Sequence, residues 1–104
     1  MSPIYQQVQQ FLRHIDRDLI SPEQLSYILT EIERFIAEIP PTFDELEPFA
    51  RSLGVEIHKQ FHLLKNDLLF WQAARQAETQ QKRWQQIHQR LATIETYSQQ
   101  LLHW

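Results

Sequence analysis

The stretch LLKNDLLFWQAARQ, residues 63–76, holds four consecutive large apolar side chains, Leu68, Leu69, Phe70 and Trp71. Successive residues of an α-helix point about 100° apart, so on a helix these four face every direction around the axis. One intramolecular core covers one side of such a helix, and the other side asks for a partner surface. The surrounding sequence supplies the helix. From Pro48 onward Phe49, Ala50, Leu53, Ile57, Phe61, Leu64, Leu68, Trp71 and Ala74 recur at near-heptad spacing, which predicts a single long helix to about Ala77. Gly54 lies inside it at a cost of about 1 kcal/mol against alanine, and so marks a close helix approach or a slight bend. A further helix beginning near Thr79 carries Trp84, Ile87, Leu91, Ile94, Tyr97 and Leu101. The two form a long antiparallel hairpin.

Upstream, two shorter helices are expected. Ser2-Pro3 sets a capping side chain before a proline at the first helical position, and Tyr5, Val8, Phe11, Leu12, Ile15 and Leu19 follow as one apolar stripe. Ser21-Pro22 repeats the start signal with Gln24 in capping-box position. The link between these helices is therefore read as very short, which makes them antiparallel neighbours. Leu25, Ile28, Leu29, Ile32, Phe35, Ile36 and Ile39 form the second stripe, and Pro40-Pro41 ends it. Residues 40–47 are a connector in which Thr42 and Glu45 could cap one helical turn, with Glu47 held out of helical geometry by Pro48. The expected fold is all-α: an antiparallel four-helix bundle of two hairpins within one domain, 1–104, with helices three and four longer than one and two.

Composition agrees. Hydrophobic residues make up 42% and charged residues 22%, a globular balance, while one glycine against five prolines leaves few turns and favours long helices. The absence of cysteine excludes disulfides, Cys-ligated metal and thiol catalysis. The N-terminal residues lack the pattern of a signal peptide, and no run approaches the ~20 apolar residues of a membrane span, so a soluble, cytoplasmic protein is expected. Residues 1–56 carry ten acids against four arginines, and residues 57–104 six bases against three acids. Nucleic-acid binding would require a much stronger positive field than this.

Helices one and two, at roughly 16–18 residues, span roughly 25 Å, whereas a helix of nearly 30 residues spans roughly 43 Å. In up-down-up-down order the first interhelical turn lies on the side of the last one, so the far end of the second hairpin should project beyond the first. That tip contains Leu69, Phe70, Trp71 and Trp84, flanked by a basic stripe of Arg75, Lys82, Arg83 and Arg90. An apolar patch of this kind on a soluble protein marks an association surface. The opposing reading is that helices one and two slide toward the tip and bury the rings as ordinary core.

Catalytic signatures are missing. His58 and His62 stand at i, i+4, but HKQFH lacks the glutamate of a zincin motif, and none of the five histidines has an acid three positions before it. One glycine permits no phosphate loop. Asn66-Asp67, the polar break beside the densest apolar run, is placed on an outer face, with an interfacial polar contact of Asp67 as the lesser alternative, and the five Gln-Gln pairs are read as surface filler. No enzyme activity, metal or cofactor is expected.

The segments EIHKQFHLLKNDLLFWQAARQ (56–76) and QKRWQQIHQRLATIETYSQQLL (81–102) resemble the cyanobacterial heterocyst-frequency control family PatD, with a Leu-rich helix ending in QAARQ and a following helix of RL…Y…LL pattern. The sequence departs from that family at Ala77, where the family pattern has a proline. The resemblance implies a non-enzymatic regulator of cell division and heterocyst differentiation that binds the tubulin-like division protein FtsZ and modulates its filament assembly. A homodimer able to bridge two filaments is a further expectation. The competing expectation is a helical adaptor subunit of another assembly, and a small-ligand bundle with a pocket near Trp71 and Trp84 is a third.

Overall fold

A computed structural model describes residues 2–103. Four α-helices follow one another: α1 Ile4–His14, α2 Pro22–Glu38, α3 Pro48–Ala73 and α4 Ala77–Leu102, with a 3-10 turn, Pro40–Glu45, between α2 and α3. The fold is an all-α antiparallel bundle of two hairpins. α3 and α4, with 26 residues each, are the longest helices and pack along one another most extensively. α1 lies against α2 and α4, and α2 against α1 and α3. The bundle measures 44 × 22 × 20 Å.

The centre is aromatic. Phe35 stacks on Phe61 with centroids 5.1 Å apart, and Phe11 meets Phe35 edge-on at 5.3 Å, so the rings of α1, α2 and α3 converge where the helices cross. Ile32, Ile57, Leu64, Leu91 and Ile94 pack into the same core.

α1 is shorter than its apolar stripe implies. It stops at His14, Ile15 is extended, and the Asp16 carboxylate accepts from the Asp18 and Leu19 amides at 2.9 and 3.3 Å. A short acidic side chain that bonds its own downstream backbone competes with helix formation, and here the turn wins. The consequence is a seven-residue link in place of a very short one. Ile15 and Ile20 are buried by it, while Leu19, assigned to the stripe, is 72% exposed. At α2 the Ser21 hydroxyl accepts from the Gln24 amide at 3.1 Å, with Pro22 in the first turn, as expected. The Gln24 side chain does not complete a capping box. Its amide lies against the link, 3.2 Å from both the Asp16 amide and the Leu19 carbonyl, and the orientation with oxygen toward the first and nitrogen toward the second satisfies both.

α2 ends at the Pro40-Pro41 pair, and the 3-10 turn is held from within. Thr42 donates to the Ile39 carbonyl at 2.7 Å, and its oxygen pairs with the Tyr5 hydroxyl at 2.6 Å. Both side chains are buried, and burial pushes the Tyr5 phenol pKa up. Glu47 is extended ahead of Pro48, and Ala77 opens α4 at a position where a proline would also be accommodated. Two Gln-Gln pairs do more than cover surface: Gln9 donates to Ser98 on α4, and the Gln7 oxygen accepts from Arg34 at 2.6 Å.

Gly54 is a point of close approach. A Cβ there would lie 2.8 Å from the Tyr5 hydroxyl oxygen and 3.2 Å from the Phe43 ring, and the hydroxyl is pinned by Thr42. Overpacking of this kind costs roughly 1–3 kcal/mol, against about 1 kcal/mol returned by alanine's helix propensity. Gly54→Ala is therefore expected to lose about 1 kcal/mol in urea unfolding, and to lose less in a Tyr5→Phe background, where the clashing atom is gone. Equal losses in both backgrounds would contradict this packing.

Candidate interaction surface

The α1–α2 link meets α4 at two places. The His88 Nε2 donates to the Arg17 carbonyl at 2.8 Å, and the Arg17 guanidinium pairs with Glu95 at 2.7 Å. His88 lies eleven positions into α4 from Ala77, so α4 runs about 16 Å past this contact at ~1.5 Å per residue. From Gln72 to Arg83 no residue is buried; the nearest fully buried apolar side chains are Leu68 on α3 and Ile87 on α4. The second hairpin thus extends beyond its neighbours.

At the base of the projection the large rings divide into two kinds. Trp71 and Trp84 are half-buried, their rings 5.2 Å apart, and Trp84 continues onto the His88 ring at 4.9 Å. This aromatic chain closes the core at the hairpin end and is anchored through His88 to the link. Leu69 and Phe70 face outward, 43% and 56% exposed. They are the only adjacent pair among the exposed large apolar residues described. The Arg83 guanidinium lies 4.6 Å from the Phe70 ring centroid, a stacking that leaves the opposite face of the ring to solvent.

Asp67 is where the structure departs most from the sequence reading. It is not on an outer face: it is buried in the α3–α4 seam, its side chain 7% exposed, with one carboxylate oxygen 3.4 Å from Arg83 Nη1 and the other 3.1 Å from Arg90 Nε. Two members of the basic stripe, Arg83 and Arg90, are therefore turned inward to neutralise a buried carboxylate. Lys82 reaches Glu78 at 3.6 Å with both side chains largely in solvent, and Arg75 is exposed with no ion pair among the described residues. The signal for this arrangement was periodic. Gln60 and Asp67 stand seven apart and both are buried, and Arg83 and Arg90 also stand seven apart, on one face of the opposing antiparallel helix. The buried Gln60 Oε1, one heptad before Asp67, has no hydrogen-bond partner among the described residues.

The His58 and His62 rings meet edge-on at 4.7 Å, and His58 Nε2 donates to the Ile36 carbonyl at 3.1 Å. Burial, reinforced by His62, holds the His58 pKa below its usual value. No set of three metal-ligating side chains occurs among the described residues, and none of the described helices is long and apolar enough to cross a membrane. What the geometry offers is a bundle whose longer hairpin presents an exposed apolar pair, Leu69 and Phe70, with Arg75 and Lys82 exposed on the same hairpin. Compared with family models, curated proteins and solved structures, the chain matches none of them.

Proposed function

We propose that this chain is a non-enzymatic, cytoplasmic interaction module that binds FtsZ and modulates its filament assembly, with the hairpin tip as the contact. The resemblance of residues 56–102 to the PatD family supports the choice of partner and the wider role in cell division and heterocyst differentiation. The observation that carries the choice of surface is the outward pair Leu69 and Phe70 on a projecting hairpin end. Adjacent exposed large apolar residues of this kind characterise association surfaces. Trp71 and Trp84 stiffen the pair from behind, and Arg75 and Lys82 supply positive charge toward an acidic partner.

Light scattering during polymerisation of purified FtsZ tests this reading. Addition of the protein is expected to change the rate or plateau of the scattering signal, with the effect weakening as salt screens the two cations. Superimposable traces with and without the protein would reject FtsZ as the partner. An affinity pull-down from a cyanobacterial lysate that recovers another complex and no FtsZ would favour the adaptor reading instead.

A further inference from the structure

Where the end of α2 and the 3-10 turn meet α3, a half-buried histidine stands between them. His58 donates from Nε2 to the Ile36 carbonyl at 3.1 Å, and its ring meets the Phe43 ring edge-on with centroids 6.3 Å apart, so one imidazole of α3 touches both preceding elements. His62, one turn further along α3, lies edge-on to it at 4.7 Å. A ring nitrogen must carry hydrogen to bond a carbonyl, and Nε2 does so in the neutral and the charged ring alike. The bond is therefore indifferent to pH. The setting is not: a partly buried imidazolium loses hydration, and a second imidazolium at 4.7 Å repels it. No carboxylate among the described residues offsets this. On α2, Glu33 is held by Lys65 and Glu38 by Arg34. On the 3-10 turn, Asp44 and Glu45 are exposed and bond neither ring. On α3, the charged residues spaced to reach His62 are Lys59 and Lys65, both cations, and Glu56, two positions before His58, faces elsewhere. Arg51 is committed to the Phe43 and Leu46 carbonyls at 2.8 and 3.0 Å.

We infer that His58 and His62 form a proton-sensitive latch: with neutral rings the end of α2 and the 3-10 turn sit on α3, and as the pair takes up protons that segment loosens. Protonated His58 regains hydration, and distance from His62, only by leaving its place between Ile36 and Phe43. Its departure removes the Ile36 bond and the aromatic contact together. The direction with pH follows from the burial of His58, reinforced by His62, which sets its pKa below the usual value. A base held in this way contributes stability in full above the ordinary histidine value of about 6.5, and the contribution is lost as pH falls through that value toward the lower folded one. The latch opens on acidification. This inference does not depend on the identity of any partner, since the residues concerned lie on the α2–α3 contact and not among Leu69, Phe70, Arg75 and Lys82.

Amide hydrogen exchange, expressed as protection factors so that the intrinsic pH dependence cancels, tests it on wild type, His58→Gln and His62→Gln. A glutamine at 58 can still donate to the Ile36 carbonyl but takes up no proton. Between about pH 7.5 and about pH 5.5, which bracket the ordinary histidine value, wild type is expected to lose protection several-fold at the Ile39 and Thr42 amides, which bond the Phe35 and Ile39 carbonyls. Protection of Leu68 and Leu91 in the core should hold. His58→Gln is expected to remove this loss, and His62→Gln to reduce it without removing it, because burial is the larger cause. The His58 Cε1–H resonance of wild type should titrate with a midpoint below about 6.5. Should His58→Gln fail to fold, that titration and the wild-type protection profile decide. A His58 midpoint at or above the ordinary value, a wild type whose Ile39 and Thr42 protection does not change, a fall shared equally with Leu68 and Leu91, or the same fall in folded His58→Gln would overturn it.

Discussion

Phe70→Ala combined with Trp71→Ala is expected to abolish FtsZ binding while leaving the helical content unchanged. Large aromatic residues at the centre of an interface cost roughly 2 kcal/mol or more each when truncated, so the pair together weakens binding by roughly a thousandfold. The two side chains contribute differently. Phe70 is 56% exposed and touches its own molecule mainly through Arg83, so its removal costs the fold little. Trp71 packs on Trp84 and on the core, so its loss also loosens the hairpin end. Phe70→Ala alone separates the effects: co-sedimentation with FtsZ filaments should fall by about tenfold or more in affinity while the urea midpoint hardly moves. Undiminished co-sedimentation of the double variant would reject the tip as the contact.

The second large effect is on stability. Arg83→Ala with Arg90→Ala leaves the Asp67 carboxylate buried, 7% exposed and without a cation, whereas in the native protein two guanidiniums face its two oxygens. Breaking a fully buried pair costs roughly 3–5 kcal/mol. Both arginines are about one-third exposed, which lets water reach the site, and the expected loss is accordingly about 2–3 kcal/mol in urea unfolding. The penalty comes from the stranded charge, so adding Asp67→Leu to the double variant should restore most of it. A loss below about 1 kcal/mol, the range of ordinary surface pairs, would show that the seam does not depend on this cluster. The same cluster fixes how the cations can be tested functionally. Neutralising Arg83 or Arg90 disturbs the hairpin itself, whereas Lys82→Ala and Arg75→Ala change only surface charge.

The hairpin architecture was legible because each boundary has a local chemical cause. Ser21 and Pro22 start α2, Pro40-Pro41 stop it, Pro48 starts α3, and the near-heptad stripe runs from Ala50 to Trp71, with Phe49, assigned to it, instead 50% exposed. Gly54 was readable as a close approach, though the atom it makes room for, the Tyr5 hydroxyl, is fixed by a residue 37 positions away and leaves no trace in the spacing. The α1 end was misread because Ile15 and Leu19 continue the apolar period. A single carboxylate, Asp16, decides against it by offering the backbone a competing bond. At the tip, the exposed pair Leu69 and Phe70 was accessible from angular arithmetic along one helix. The burial of Asp67 was not, since it depends on the register of two antiparallel helices, and only that register brings Arg83 and Arg90 to one carboxylate.

The measurement that bears most directly on the projecting tip as a binding surface is amide NMR of the chain titrated with FtsZ. Shifts or broadening are expected to begin in the Leu69–Trp84 segment, with the outer faces of α1 and α2 unmoved. Perturbation centred on α1 and α2, with Leu69, Phe70 and Trp84 unchanged at saturation, would contradict it.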